Sequence, residues 1–158
     1  MRYTGGAADA SDGERGRLMA LTAEEIRSFL EEPNIAVMAT VRPDGRPHAV
    51  PIWYEYDRGE LVFHMGPNSV RYRNLLHNNR VSLCIDTRTP PYKAVIVEGR
   101  VDLLEGLDDE RTERMAAHYL GERAGKRYAA SVRGARVIIG RLRPERTISW
   151  DYGKGDDP

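Results

Sequence analysis

Two very short turns separate three strand-like segments in the first half of the chain. The segments are residues 34–41, 48–56 and 61–65, and the turns contain Pro43-Asp44-Gly45 and Asp57-Arg58-Gly59. Consecutive parallel strands need a crossover of a dozen or more residues, and neither turn leaves room for one. The three segments therefore predict an antiparallel meander rather than a parallel α/β sheet.

Three further strands are predicted later in the chain, at residues 81–86, 92–104 and 135–150, because apolar and β-branched residues dominate them. The last of these shows alternation of apolar residues only as far as Pro144. Together with the meander they make six strands. The predicted fold class is α+β, mainly β: a six-stranded antiparallel β-barrel flanked by short helices.

The predicted helices lie at the start, at one corner and near the end of this fold. Thr22 and Glu25 have the spacing of a capping box, and Pro33 ends the helix that they begin. Asp108 is the predicted N-cap of a helix that reaches Leu120, and residues 124–132 form a second short helix.

Length, charge and cysteine content narrow the class of protein. The 158 residues predict one domain, residues 20–158, after a flexible tail at residues 1–19 that is rich in Gly, Ala, Asp and Ser. The 24 basic and 24 acidic side chains balance, which argues against general nucleic-acid or membrane binding. The single cysteine, Cys84, allows no internal disulfide. With no apolar segment of signal-peptide type, we expect a cytoplasmic protein.

No familiar catalytic or metal-binding motif is present. The chain contains no HExxH, GxSxG, GxGxxG or Walker A sequence. Its histidines form no tight pair, although two of them lie on neighbouring predicted strands and could approach each other; the four are His48, His64, His77 and His118. We interpret each of them as a polar residue at a strand end or rim, and we predict no metal site.

One corner has the composition of an anion-binding site. The turn Gly66-Pro67-Asn68-Ser69 precedes a short basic helical segment, with Ser69 as the predicted N-cap and Arg71 in the first turn. A cation in the first turn interacts unfavourably with the helix dipole, by roughly a few tenths of a kcal/mol. A bound anion would make the net interaction at this helix start favourable. The alternative interpretation is a surface helix whose arginines point into water.

Four segments carry a resemblance to a known family. They are NIAVMATVRPDGRPHAVPIWYEYD, LVFHMGPNSVRYRNLLHNNRVSLCID, PPYKAVIVEGRVDL and RLRPERTISWDYG, in this order, within residues 22–152. The chain resembles the pyridoxamine 5'-phosphate oxidase-like superfamily of FMN-binding split β-barrels. Within it, the chain is most similar to the branch of oxidoreductases that use the deazaflavin coenzyme F420.

The resemblance implies a homodimeric split barrel with cofactors at the subunit interface. The turn and helix start at 65–71 would hold the cofactor phosphate, and the strand at 48–53 would run beside the cofactor ring. A partner subunit would complete the pocket with residues of the long strand and the C-terminal region. The implied cofactor-binding residues are His48, Val50, Pro51, Ile52, Trp53, Met65, Ser69, Val70, Arg71 and Asn74, together with Tyr92, Lys93 and Trp150 from the second subunit.

The function that the resemblance implies is a cofactor-dependent oxidoreductase. The leading hypothesis is an F420H2-dependent reductase that transfers hydride to a conjugated small-molecule acceptor, with a proton from solvent, Tyr54, Tyr92 or His48. The alternatives are an FMN-dependent oxidase or reductase and a non-catalytic flavin- or haem-binding protein. A basic track leading away from Arg71 would favour the acidic tail of the deazaflavin, whereas a closed phosphate pocket would favour FMN. Vitamin B6 oxidation is not expected, because those oxidases continue with substrate-phosphate residues after the position that matches Trp150.

Overall fold

Seven strands form one antiparallel sheet in the computed structural model, which describes residues 19–155. The strands are β1 (Ala36–Val41), β2 (Pro47–Ile52), β3 (Glu55–Asp57), β4 (Glu60–Met65), β5 (Arg80–Asp86), β6 (Lys93–Gly106) and β7 (Val137–Asp151). The helices are α1 (Ala23–Leu30), α2 (Val70–His77), α3 (Asp109–Leu120) and α4 (Glu122–Ser131), and a 3-10 turn, Tyr152–Gly155, follows β7. The order of strands across the sheet is β2-β1-β5-β6-β7-β4-β3. The α+β class and the antiparallel pairing are therefore confirmed.

The sheet closes on itself. Strands β2 and β3 lie at its opposite edges, yet only Trp53 and Tyr54 separate them in the chain. A link of two residues spans roughly 10 Å at most. The two edges must therefore approach each other, so the sheet is rolled into a barrel.

The prediction of six strands is wrong, because the segment predicted as one strand at 48–56 is two. The hydroxyl of Tyr119 accepts a hydrogen bond from the Tyr54 backbone N–H at 3.2 Å, and its oxygen lies 3.1 Å from the Tyr54 carbonyl oxygen. The backbone of Tyr54 thus bonds to a helix side chain instead of a neighbouring strand. The ladder stops there, and the chain crosses from one edge of the sheet to the other.

Alternate residues of the strands fill the barrel. Met38, Leu83 and Val97 are aligned across β1, β5 and β6, and each is at most 1% exposed. Phe63 on β4 and Leu142 on β7 are fully buried in the same cluster. Burial of side chains of this size contributes roughly 1.5–3 kcal/mol each relative to exposure, so this cluster is the main source of stability.

The capping box and the tight turn that the sequence predicts are both confirmed. The capping box of α1 has both bonds, with the Glu25 N–H at 3.2 Å from Thr22 Oγ1 and the Thr22 N–H at 2.6 Å from Glu25 Oε2. The turn between β3 and β4 has positive φ at Arg58 (53°) and Gly59 (88°), a pair of values that suits a tight hairpin.

The final strand differs from its prediction, since it continues past Pro144 to Asp151. An irregularity between Glu98 and Gly99 accommodates the proline, which has no N–H to pair. Gly99 is required at this point, because a Cβ there would collide with the Arg143 carbonyl oxygen.

Helices α3 and α4 form a closely packed pair beside the barrel. A Cβ on the buried Gly125 of α4 would lie 2.5 Å from the Cα of Ala117 on α3, so only glycine permits this approach. The helix predicted at 124–132 begins earlier, at Glu122. Apart from Met19, the predicted N-terminal tail lies outside the described residues. Within residues 19–155 no helix combines the length and apolar character needed to cross a bilayer.

Candidate functional site

A cavity of about 530 Å³ opens beside the start of α2. Its walls come from the chain before β1, the end of β2, strand β4 and the three helices α2, α3 and α4. The lining residues are Ile35, Pro51, Ile52, Trp53, His64, Arg71, Thr112, Met115 and Tyr128. This volume lies within the range of small-molecule sites, which are mostly apolar with a few polar groups.

Arg71 forms the cationic end of the cavity. Its Nη2 donates to the carbonyl oxygen of His64 at 3.2 Å, whereas its buried Nε has no hydrogen-bond acceptor among residues 19–155. No carboxylate of the described chain lies within ion-pair distance of the guanidinium, and burial lowers the pKa of Arg71. A buried donor without a partner costs about 1–3 kcal/mol. An anion bound in the cavity would supply the missing acceptor.

The start of α2 adds further donors at the same end. Ser69 is the N-cap, as predicted, and its Oγ accepts from the Tyr72 N–H at 3.3 Å. The N–H groups of Val70 and Arg71 have no intrahelical partner, since they belong to the first turn. The first turn contains no acidic residue. Free N–H groups, the helix dipole and an unpaired guanidinium together fit a phosphate group.

Aromatic side chains form another part of the cavity wall, with Trp53 and Tyr128 in the lining. The rings of Trp53 and Tyr119 are stacked, with centroids 5.1 Å apart and planes 4° from parallel. Tyr128 on α4 meets Trp53 edge-on at 5.4 Å and is 43% exposed. Flat apolar walls of this kind bind conjugated rings through their faces.

Asp108 is the N-cap residue of α3, as predicted, but its side chain makes no capping bond. Its Oδ2 lies 3.0 Å from His64 Nε2 and 3.3 Å from Arg111 Nε. The other ring nitrogen of His64, Nδ1, lies 3.3 Å from the Thr112 hydroxyl oxygen. This cluster makes His64 a wall residue of the cavity, whereas the sequence was interpreted as placing it at a rim.

The structure brings part of the predicted set together. Pro51, Ile52, Trp53 and Arg71 line the cavity. Ser69 and Val70 begin the helix at its cationic end, and Met65 is buried at the end of β4. Sequence reasoning missed five lining residues: Ile35, His64, Thr112, Met115 and Tyr128. The residues of α3 and α4 could not be found by motif, because no local pattern connects them to β2 or β4.

Three predicted residues from the same region do not line this cavity. Asn74 is 2% exposed and its amide donates to Thr40 Oγ1 at 2.9 Å. It borders a second cleft beside α2 instead, and its role at a phosphate stays a prediction. His48 lies beside the same threonine, with 3.4 Å between Nδ1 and Oγ1. It does not meet His64. Val50 packs against the barrel core.

The residues predicted to act from a second subunit also lie away from the cavity of their own chain. Lys93 pairs with Asp151 at 3.2 Å and borders a separate groove beside α1. Tyr92 is exposed, and Trp150 is half-buried opposite Ala94. Their contribution across a dimer interface stays a prediction.

None of the predicted proton donors lines the cavity. The hydroxyl of Tyr54 is buried in another region, and its pKa is raised, chiefly by burial and also by the neighbouring Tyr119 and Glu32. Tyr92 and His48 lie elsewhere, as described above. Among residues 19–155, no cluster of His, Cys, Asp and Glu has the geometry of a metal site.

A second, basic cleft of about 300 Å³ lies on the other side of α2. Arg42, Arg46 and Arg73 line it, together with Val70 of the helix start. Asp44 neutralises Arg46 at 2.7 Å, whereas Arg42 and Arg73 form no ion pair in the described part of the chain. Positive charge therefore extends from the start of α2 along the protein surface.

Comparison with known proteins agrees with this geometry. The family model described as pyridoxamine 5'-phosphate oxidase matches residues 22–151. The chain belongs to this family. The family resemblance seen in the sequence is thereby confirmed, and the α+β fold with its antiparallel sheet is of the family's type.

Two of the similar proteins are named reductases. The chain is 28% identical over 141 residues to a 5a,11a-dehydrotetracycline/5a,11a-dehydrooxytetracycline reductase of Streptomyces rimosus, and the match covers 84% of each chain. A solved F420 reductase is 28% identical, with a TM-score of 0.62 over 77% of this chain and 94% of that one. A conserved hypothetical protein of Mycobacterium tuberculosis is 25% identical, with a TM-score of 0.72 over 89% and 91%.

Proposed function

We propose that the protein is an oxidoreductase that binds a flavin-type cofactor, with the cofactor phosphate at Ser69 and Arg71. The observation that carries the proposal is the buried Nε of Arg71, which has no acceptor among the described residues. The family and the reductases similar to this chain support the oxidoreductase class.

We further propose that the cofactor is the deazaflavin F420 rather than FMN. The basic cleft with Arg42 and Arg73 supports this choice, because it begins at the same helix start and offers unpaired cations to an acidic cofactor tail. FMN has no such tail and needs only the phosphate corner. The similarity to an F420 reductase points in the same direction.

The chain's own residues bind and orient rather than transfer protons. A reduced deazaflavin, when bound, supplies a hydride. Ser69 and Arg71 anchor its phosphate, while the stacked Trp53 and the neighbouring Tyr128 hold a flat conjugated acceptor and exclude water from the apolar end. None of the predicted donors lines the cavity, so we propose that solvent supplies the proton.

The working form that we propose is a homodimer with the cofactor at the subunit interface. A row of directly paired residues crosses the outer face of five strands, and all five are apolar and not fully buried: Pro51, Val37, Cys84, Ile96 and Ile148. The row begins at Pro51, which also lines the cavity. A partner covering this face would reach the cavity rim and bring in its own Tyr92, Lys93 and Trp150.

Titration of the purified protein with coenzyme F420 and, separately, with FMN tests the proposal. Fluorescence of the two tryptophans of the wild-type protein is the readout, since Trp53 lines the cavity wall. Tight binding of F420 with weaker binding of FMN is the expected result, followed by turnover of F420H2 in a screen of conjugated acceptors. Preference for FMN would move the protein to the FMN-dependent class. Binding without turnover of any acceptor would leave a binding protein, and binding of neither cofactor would refute the proposal.

A further inference from the structure

We infer that His64 is held as a doubly protonated imidazolium and acts as a fixed positive charge in the cavity wall, beside Arg71. The protonation state follows from hydrogen bonds within the chain. Its consequence for ligands, a preference for anionic ring systems, rests on the proposed function.

The first ring proton follows from Asp108. Its Oδ2 lies 3.0 Å from His64 Nε2, at the distance of a charge-assisted hydrogen bond. An ionised carboxylate only accepts hydrogen bonds, so Nε2 must carry a proton. The side chains are 13% and 23% exposed, and screening by water is correspondingly limited.

The second ring proton follows from Thr112. Its hydroxyl donates to the backbone carbonyl oxygen of Asp108 at 2.8 Å. A hydroxyl has one proton to donate, and this one is used. The Thr112 oxygen, 3.3 Å from His64 Nδ1, can therefore serve that nitrogen only as an acceptor. Both ring nitrogens face acceptors, which is the arrangement that a charged imidazolium satisfies.

The neighbouring charges leave Asp108 available to His64. Arg111 on α3 also contacts Asp108, but Glu55 and Asp57 on β3 share its charge at 3.3 and 3.4 Å. Arg71 on α2 contacts the His64 carbonyl oxygen and opposes a second cation nearby. On β7 the residue paired with His64 is the uncharged Ile139. The placement of Asp108 is informative in itself, since its side chain contacts His64 instead of capping α3.

This arrangement defines what His64 can do. Both ring protons are engaged within the protein, so His64 is a positioning residue that supplies charge rather than a proton donor. Together with Arg71 it places two cationic side chains beside the cavity, of which His64 is balanced by Asp108 and Arg71 has no carboxylate partner among the described residues. A cation beside a bound ring would favour ring systems that carry negative charge.

The protonation state can be measured on the free protein. In ¹⁵N-labelled protein at pH 7, we expect both His64 ring nitrogens to have imidazolium chemical shifts, with a Thr112→Ser variant unchanged. Thr112→Val keeps the shape of the side chain but removes the acceptor, so His64 should become neutral with a proton on one nitrogen. A neutral His64 in the wild-type protein overturns the inference, whatever the protein binds.

A second experiment, a comparison of cofactor affinities, tests the consequence for ligands. Affinities for F420 and FMN are compared in Thr112→Val, in Thr112→Ser and in Asp108→Asn. The last variant should neutralise His64 by another route, because it removes the carboxylate charge that faces Nε2. Loss of about tenfold in affinity in Thr112→Val and Asp108→Asn, but not in Thr112→Ser, supports the charge role. Unchanged affinity in both discharged variants refutes it. If the wild-type protein binds neither cofactor, the proposed function fails while the ring-proton result still stands.

Discussion

Replacement of Arg71 by Met separates the binding role of this residue from any role in stability. Methionine keeps most of the apolar stem and removes the guanidinium. In the free protein, the change relieves a buried donor without an acceptor, which is worth about 1–3 kcal/mol. It also removes one hydrogen bond to the His64 carbonyl oxygen, worth about 1.5–3 kcal/mol for a charged donor. The two effects oppose each other, so we expect the free energy of unfolding to change by no more than about 1 kcal/mol.

Binding has no such compensation. A bound phosphate loses at least one charge-assisted hydrogen bond, worth about 1.5–3 kcal/mol, which corresponds to a roughly ten- to hundredfold weaker cofactor affinity. The measurements are urea unfolding of the free protein and fluorescence titration with F420 and FMN.

Arg123→Met is the matched control. Arg123 holds the same second position in α4 that Arg71 holds in α2, but it is exposed and does not line the cavity. It controls for the effect of removing a cation from the first turn of a helix. A loss of more than about 2 kcal/mol of stability in Arg71→Met would show that Arg71 holds the fold together. Unchanged cofactor affinity would refute the phosphate assignment.

Three further outcomes are expected. The hydrogen bonds of Glu25 to Lys154 and Thr22 lower the pKa of Glu25 to about 2 from 4.5. The stability that these bonds add is therefore present above pH 4.5 and is lost as the pH falls to 2. The difference in urea midpoint between wild type and Lys154→Met should therefore shrink over that range; a constant difference would contradict the assignment. Asn74→Ala should cost about 1–3 kcal/mol in urea unfolding, because it removes the buried hydrogen bond that the Asn74 amide donates to Thr40 Oγ1, and a Thr40→Val background should reduce that cost. Burial raises the pKa of Cys84, so iodoacetamide should alkylate this thiol slowly at pH 7. If a partner subunit covers the outer face of the sheet, the alkylation rate should fall further as the protein concentration rises. A rate equal to that of free cysteine would exclude such cover.

The parts of this fold that were predictable are those in which cause and effect lie a few residues apart. The capping box of Thr22 and Glu25 and the N-cap at Ser69 each depend on groups three residues apart. The turn at Gly59 depends on backbone conformation alone. The antiparallel order followed from turn length, because a short turn cannot reach a parallel neighbour.

The parts that were missed depend on contacts between distant residues. The break after β2 is made by Tyr119, 65 residues beyond Tyr54. The environment of His64 is made by Asp108, 44 residues away; Asp108 holds the predicted N-cap position of α3, but its side chain contacts His64 instead of the helix backbone. A local pattern contains no information on which of two available partners a carboxylate will contact.

The sequence by itself determined the class of fold and the family, and it pointed to Ser69 and Arg71 as the proposed phosphate corner, because these inferences depend on turn lengths, periodicity and the order of short motifs. Only the tertiary structure decided that the guanidinium of Arg71 has a buried nitrogen without an acceptor, and that Trp53, His64 and Tyr128 share one cavity. The physical reason is that burial and pairing belong to the folded chain as a whole: they arise when the closed barrel and the α3–α4 pair bring remote side chains together and exclude water between them.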